Sequence, residues 1–199
     1  MVDRSDADLL AAAADGDGEA YGSFFRRHSH AVTAYAVRRC DNADDVADLV
    51  SDTFMIALQA SGRYIPENVT ALPWLYGIAR RVLARQRRRK AGFARLLNKS
   101  TNSQVRFQGI EEDAIAEAID ATRSAPALVE ALRGLSKGER DVLELVAFEG
   151  LTPSEAAVVL ELTPNAARLK LSRARRHMRG LLGPDPPGLL PDTEAGHAF

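Results

Sequence analysis

Residues 152–179 read TPSEAAVVLELTPNAARLKLSRARRHMR, and this stretch decides the architecture of the C-terminal part of the chain. Thr152-Pro153-Ser154-Glu155 is a capping box with proline at the first helical position, so a helix is expected to start there. Ala156, Ala157 and Leu160 are among its apolar positions, and Glu161-Leu162 make the turn. Thr163-Pro164 repeats the cap-plus-proline signal and opens a second helix. There Ala167, Leu171, Ala174 and Met178 recur at spacings of four, three and four, which is one helical face. Asn165, Arg168, Ser172 and Arg176 fall on the opposite side, with Leu169 and Arg173 beside them. A helix-turn-helix with cations and hydrogen-bonding side chains on its outward face suits a DNA major groove. The competing reading is a solvated basic helix that closes an ordinary bundle.

The 199 residues suffice for one large domain or two small ones. Alanine, leucine and arginine dominate while β-branched and aromatic residues are sparse, so an all-α chain of two small helical domains is expected. No apolar run approaches the roughly 20 residues that span a bilayer. The N-terminus lacks the basic-then-apolar order of a signal peptide. A single cysteine, Cys40, leaves no internal disulfide and no cysteine-based zinc cluster. The cytoplasm is therefore the expected compartment.

The formal net charge of −1 hides a segregated pattern. Residues 1–70 hold 12 acidic and 6 basic side chains, whereas residues 71–110 hold 10 basic and no acidic ones. Residues 111–162 return to 12 acidic against 4 basic, and residues 163–182 hold 6 basic and none acidic. Two basic blocks separated by acidic ones are what two polyanion-binding surfaces on one chain require.

Residues 1–18 form an N-terminal extension in this reading, because Asp15-Gly16-Asp17-Gly18 should break any first helix. A helix from Glu19 toward Val37 follows, with Phe24 and Phe25 expected in the core. His28 and His30 sit two apart, which is poor for one helical face, and no metal site is expected of them. From Asp41 to Gln59, Val46, Leu49, Val50, Ala57 and Leu58 make a buried face, and Asp41, Asp45, Asp48 and Asp52 a stripe opposite. Phe54, Met55 and Ile56 make the far end more apolar than one buried stripe requires. Such a surface suits a protein partner with basic side chains, unless it is simply a solvated acidic face.

Ser61 to Leu72 reads as a loop. Pro73 then opens a helix with Leu75, Ile78, Ala79, Val82 and Leu83 inward, and Trp74, Arg81, Arg85 and Arg88 outward. Arg80, Arg87, Arg89 and Lys90 flank that stripe. Arginines for phosphates and an indole for a base suit nucleic acid, although Trp74 could equally be core. The first domain is thus expected over residues 19–92. Residues 93–124 read as a linker with a short acidic helix at 111–120, residues 125–182 as the second domain, and 183–199 as a disordered tail. In the second domain Leu128, Leu132 and Leu135 begin a core. Ser136-Lys137-Gly138-Glu139 then caps a helix that buries Val142, Leu143, Leu145 and Val146 and ends at Gly150.

Asp44-Asp45-Val46-Ala47-Asp48-Leu49-Val50-Ser51-Asp52-Thr53-Phe54, then Trp74-Leu75-Tyr76-Gly77-Ile78-Ala79-Arg80, then an arginine run, a linker and Ser172-Arg173-Ala174-Arg175 resemble an extracytoplasmic-function (ECF) sigma factor. These are the small two-domain members of the bacterial sigma superfamily, which direct RNA polymerase to promoters. The resemblance runs from about Glu19 to Leu182, most of the linker excepted. It implies core RNA polymerase as a partner, through the β′ clamp helices and the β flap. It also implies promoter DNA as duplex and as melted non-template strand, and an anti-sigma factor.

By the same resemblance Asp45, Asp48, Leu49, Asp52 and Phe54 fall in the polymerase-docking segment. The loop from Ser61 to Thr70, with Tyr64, matches the segment that captures an unstacked minus-10 base. Trp74, Arg80, Arg81, Arg85 and Arg88 match the segment that holds the melted strand. Asn165, Arg168, Leu169, Ser172, Arg173 and Arg176 match the minus-35 reader. The chain departs from the family at Arg81, where asparagine is common, and at Arg85, where aspartate is. Leu169-Lys170 stands where Ser-Arg is common, and Glu161 replaces a turn glycine, which a glutamate can do if its φ stays negative.

No catalytic residue, metal or other cofactor is expected: Asp41, Asp45, Asp48 and Asp52 lack an accompanying histidine or lysine, and a solvated helix face is a poor cage. A stand-alone helix-turn-helix regulator with an N-terminal dimerisation or sensing domain would account for residues 152–179. It leaves the basic run from Trp74 to Lys90 without a purpose.

Overall fold

Ser5, Asp17 and Asn42 each accept the backbone N–H three residues ahead. These caps fix the starts of α1 (Asp6–Ala14), α2 (Gly18–Val37) and α3 (Ala43–Ala60) in this computed structural model, which describes residues 4–66, 70–98 and 125–182. A single 3-10 turn at Ser61–Arg63 follows, then the long α4 (Leu72–Asn98). After residue 124 come α5 (Ala125–Arg133), α6 (Lys137–Ala147), α7 (Pro153–Leu160) and α8 (Pro164–Leu182). The chain divides into two compact units, Met1–Ala114 and Ile115–Phe199. No strand occurs among the described residues, and none of their helices is long and apolar enough to cross a membrane.

The first unit buries Leu9 and Leu10 of α1, Phe24, Val32 and Tyr35 of α2, Leu49, Phe54 and Ala57 of α3, and Leu75, Tyr76, Ala79 and Val82 of α4. Each large aliphatic or aromatic among them contributes about 1.5–3 kcal/mol relative to exposure. Tyr35 and Tyr76 stack at 5.0 Å, so α2 and α4 meet through aromatic faces. Tyr21 donates its hydroxyl to the carbonyl of Phe54, and burial pushes its ionisation up to about 12.

The structure departs from expectation, or adds to it, at several places in this unit. The stretch expected to be an N-terminal extension contains α1, which lays Leu9 and Leu10 into the core. Phe25 is 40% exposed, with only its edge against Phe54, and Leu58 is 41% exposed. Both lie at the margins of faces whose centres are occupied by Phe24 and Phe54. His28, given no role above, is buried against the Asp6 carboxylate. Helix α4 continues to Asn98, past the boundary expected at 92. The expected acidic helix at 111–120 and the tail lie outside the described residues.

The second unit follows its sequence closely. Ser136–Glu139 and Thr152–Glu155 form reciprocal capping boxes at the starts of α6 and α7. Leu128 and Leu132 of α5, Val142, Leu143 and Leu145 of α6, and Ala156, Ala157 and Val159 of α7 are buried. So are Ala167, Leu171, Ala174 and Met178 of α8. Arg140 Nη2 donates to the Leu132 carbonyl at 2.6 Å and ties α6 to the end of α5.

A left-handed residue turns the chain after both α6 and α7, a glycine in one case and a glutamate in the other. After α6, Gly150 takes φ +68° and Leu151 N–H reaches back to the Leu145 carbonyl at 3.1 Å. After α7, Glu161 takes φ 57° and Leu162 N–H reaches the Ala157 carbonyl at 2.9 Å. Both are left-handed terminations of the kind glycine favours. The condition under which a glutamate replaces the turn glycine freely is therefore not met, and Glu161 carries the cost of a left-handed residue with a Cβ. Three residues separate α7 from α8, and the left-handed step satisfies the last carbonyls while the chain reverses.

Candidate functional site

Among the described residues, three exposed surfaces concentrate charge, centred on α3, on the start of α4 and on α8. The first is the outward side of α3. Asp48, Asp52, Met55 and Gln59 recur at spacings of four, three and four and are all exposed, with Met55 at 55%. Ile56 and Leu58 flank them and are exposed too. The surface is thus two carboxylates running into a bare aliphatic end, a combination that suits a partner presenting cations beside apolar side chains. Sequence reading had named Met55 and Ile56 as surplus apolar residues, but Leu58 had been placed inside.

The five residues assigned to this docking segment divide in the structure. Asp48 and Asp52 are exposed. Leu49 is fully buried and Phe54 nearly so, and both pack α3 against the core. Thr53 Oγ1 donates to the Leu49 carbonyl at 2.6 Å, satisfying a hydroxyl inside that core. Asp45 is half-buried at the start of α3. Its carboxylate accepts from Asn42 Nδ2 at 2.9 Å and pairs with Lys90 of α4. That contact raises the Lys90 ammonium above its usual range.

The second surface surrounds the start of α4. The rings of Tyr64 and Trp74 lie 5.0 Å apart and tilted by 55°, both half-buried. The choice left open for Trp74, core or surface, resolves as an edge position with an aromatic neighbour. At the same helix start Asp6, 4% exposed, accepts from the Ala71 N–H at 2.8 Å and from Thr70 Oγ1 at 3.3 Å. It also accepts from His28 Nε2 at 2.9 Å and Arg27 Nη1 at 2.7 Å. Burial alone would raise the Asp6 carboxyl, but the hydrogen bonds from His28, Ala71 and Arg27 outweigh it and hold the group far below the usual carboxylate range. A carboxylate from α1 thereby fixes the backbone where α4 begins.

Along α4, Arg81, Arg85 and Arg88 are exposed and Arg80 is half-buried. Arg81 Nε donates to the Gly77 carbonyl at 3.2 Å and Arg88 Nε to the Ala84 carbonyl at 3.1 Å, which lays both stems along the helix. Arg87 donates to the Arg39 carbonyl at 3.0 Å and, like Lys90, fastens α4 to its own unit. The basic run therefore mixes structural cations with outward ones.

The third surface is the outward side of α8, where all six assigned residues come together. Asn165, Arg168, Leu169, Ser172, Arg173 and Arg176 are exposed, opposite the buried row of Ala167, Leu171, Ala174 and Met178. Thr163 Oγ1 caps the helix by accepting from Ala166 N–H at 3.2 Å. Arg168 Nη2 lies 3.5 Å from Ser154 Oγ at the start of α7. Lys170 takes another direction. It lies across Gly138, where an added Cβ would stand 2.9 Å from its Nζ. There Lys170 and Arg173 reinforce the depression of the Glu139 carboxyl, which stems chiefly from its hydrogen bond with Ser136.

Comparison with known proteins gives a consistent picture. Residues 24–93 match the family model for sigma-70 region 2, and residues 126–178 that for sigma-70 region 4. The chain is 30% identical over 189 residues to the RNA polymerase sigma factor CnrH of Cupriavidus metallidurans, covering 92% of this chain and 98% of that protein. It is 29% identical over 173 residues to the RNA polymerase sigma factor CarQ of Myxococcus xanthus, covering 85% and 92%. The ECF RNA polymerase sigma factor SigM of Mycobacterium tuberculosis is 27% identical over 184 residues, covering 91% and 86%. Among solved structures, CnrH in complex with the cytosolic domain of CnrY superposes with a TM-score of 0.60 at 27% identity, covering 90% of this chain and 97% of that one.

Proposed function

The chain belongs to the extracytoplasmic-function sigma factors of the sigma-70 family, which direct RNA polymerase to promoters, and from that premise we propose how its three surfaces divide the work. The outward side of α3, centred on Asp48, Asp52 and Met55, docks the core polymerase at its β′ clamp helices. Tyr64 and Trp74, with Arg80, Arg81, Arg85 and Arg88, hold the melted non-template strand of the minus-10 element. The outward side of α8 reads the minus-35 element as duplex. Leu49, Phe54 and the Asp45 pair with Lys90 support the first of these surfaces from behind.

The observation that carries this reading is the chemistry of each exposed side. An acidic and aliphatic surface suits a protein. An aromatic pair beside arginines suits unstacked bases, and a helix-turn-helix with arginine, asparagine and serine outward suits a major groove. Exposing each base costs a few kcal/mol, so the free protein should bind promoter DNA weakly and polymerase should supply the remaining contacts. An anti-sigma factor as a further protein partner is also part of the proposal, by similarity to CnrH, whose solved structure holds the cytosolic domain of CnrY. The roles are those of an initiation factor, with no chemical step assigned to any side chain.

The deciding experiment combines gel filtration of the purified protein with core polymerase and transcription from a promoter that depends on it. Co-elution and dependent initiation are expected. Failure to co-elute, together with tight binding of a palindromic duplex by the protein alone, would sink the reading.

A further inference from the structure

At the centre of the outward side of α8 stands a side chain that can make no hydrogen bond. With about 100° between successive helical residues, Asn165, Leu169, Ser172 and Arg176 fall within about 60° of one another. Leu169 is 50% exposed in the middle of that row, with Arg168 and Arg173 on its flanks. It is the one large apolar side chain among these outward positions, and α8 is packed without it by Ala167, Leu171, Ala174 and Met178. Its neighbour Lys170, which could have supplied a phosphate contact, is turned away across Gly138.

In the major groove the base edges offer hydrogen-bond donors and acceptors, and one apolar group, the C5-methyl of thymine. A leucine pressed on any other edge would strip water from a polar group and return nothing. The cations around Leu169 direct this side of the helix to a polyanion, which argues for duplex DNA over an apolar protein surface as its occupant. We propose that Leu169 selects thymine at one position of the upstream promoter element by covering its methyl group, with Ser172 and the arginines fixing the register. The inference rests on the assignment of α8 to duplex DNA and adds the base preference to it.

The test uses the full-length protein with core polymerase and a promoter library randomised through the upstream element. Wild type should enrich thymine, on one strand or the other, at a position where L169S shows no preference, while the remaining enriched positions are common to both. Replacing that thymine by deoxyuridine removes a single methyl group. It should weaken wild-type binding about three- to fivefold and leave L169S binding unaltered. Equal sensitivity of the two proteins to deoxyuridine, or enrichment of a sequence with no thymine-dependent position, overturns the role of Leu169 and leaves the assignment of α8 intact. Loss of core polymerase binding by L169S with unchanged base selection also overturns it, since Leu169 would then touch protein. If wild type enriches no upstream sequence at all, the assignment of α8 to promoter DNA fails and the inference falls with it.

Discussion

The carboxylate of Asp6 and Nε2 of His28 meet at 2.9 Å in the interior of the first unit, 22 residues apart in sequence. Removing the carboxylate leaves the buried N–H groups of His28 and Ala71 without their acceptor, at about 1–3 kcal/mol for each. D6A should therefore destabilise the first unit by that order, measured by urea denaturation of the full chain. The pH dependence has a definite sign. The Asp6 carboxyl is depressed in the fold, so its contribution is complete above the unfolded value near pH 4 and is lost as pH falls toward the folded value. Wild type should weaken steeply below about pH 4, and D6N, already weaker at neutral pH, should weaken less.

Glu161 holds a left-handed conformation that costs a residue with a Cβ roughly 1–2 kcal/mol, against a glycine penalty of about 0.5–1 kcal/mol in the unfolded chain. E161G should raise the stability of the second unit by up to about 1 kcal/mol. G150A, at the left-handed residue that follows α6, should lower it. Thermal melting of both variants is sufficient, and a stability loss in E161G would contradict the backbone argument.

On α3 the two exposed aspartates and the half-buried one should behave differently. D48R with D52R reverses charge on the outward surface and should weaken binding of core polymerase at least tenfold, about 1.4 kcal/mol, without changing the melting curve. D45A removes a pair whose Lys90 end lies in solvent and should change stability by about 1 kcal/mol. Fluorescence titration of core with labelled protein distinguishes the two.

Stacking of a base on an aromatic ring is worth about 1–3 kcal/mol by alanine substitution. Y64A and W74A in the holoenzyme should each reduce melting of the minus-10 element by a matching factor, read by permanganate reactivity of non-template thymines. Binding of a duplex carrying only the upstream element should be unchanged.

R168A and R173A test the opposite end of the chain. Each lost phosphate contact should lower the slope of log affinity against log salt by about 0.9 for duplex DNA. A slope unaltered in the double variant would place these arginines off the backbone.

Much of this fold was legible because its information is local. Thr152-Pro153-Ser154-Glu155 and Thr163-Pro164 specify two helix starts through side chains three residues from the groups they cap, and the buried row from Ala167 to Met178 follows from periodicity alone. The outward residues of α8 followed from the same count. What could not be read was long-range. Asp6 meets the Ala71 N–H across 65 residues, and no spacing rule connects a polar residue near the N-terminus to the first turn of α4. Leu58 and Phe25 sit at the edges of apolar faces, where the neighbouring helix and not the period decides exposure. The φ of Glu161 stayed open for a related reason: a glutamate says nothing of its own φ, which is dictated by the short connection between α7 and α8.

The pairing of Asp45 with Lys90, and of Arg87 with the Arg39 carbonyl, has a thermodynamic corollary. The helix proposed to face polymerase and the helix proposed to face the melted strand share a pair of charges. If a phosphate draws Lys90 away, the carboxylate of Asp45 is released beside the docking surface, and the two ligands are then linked. Whatever factor polymerase imposes on strand affinity, the strand must impose on polymerase affinity. In K90A that reciprocal factor should fall toward one.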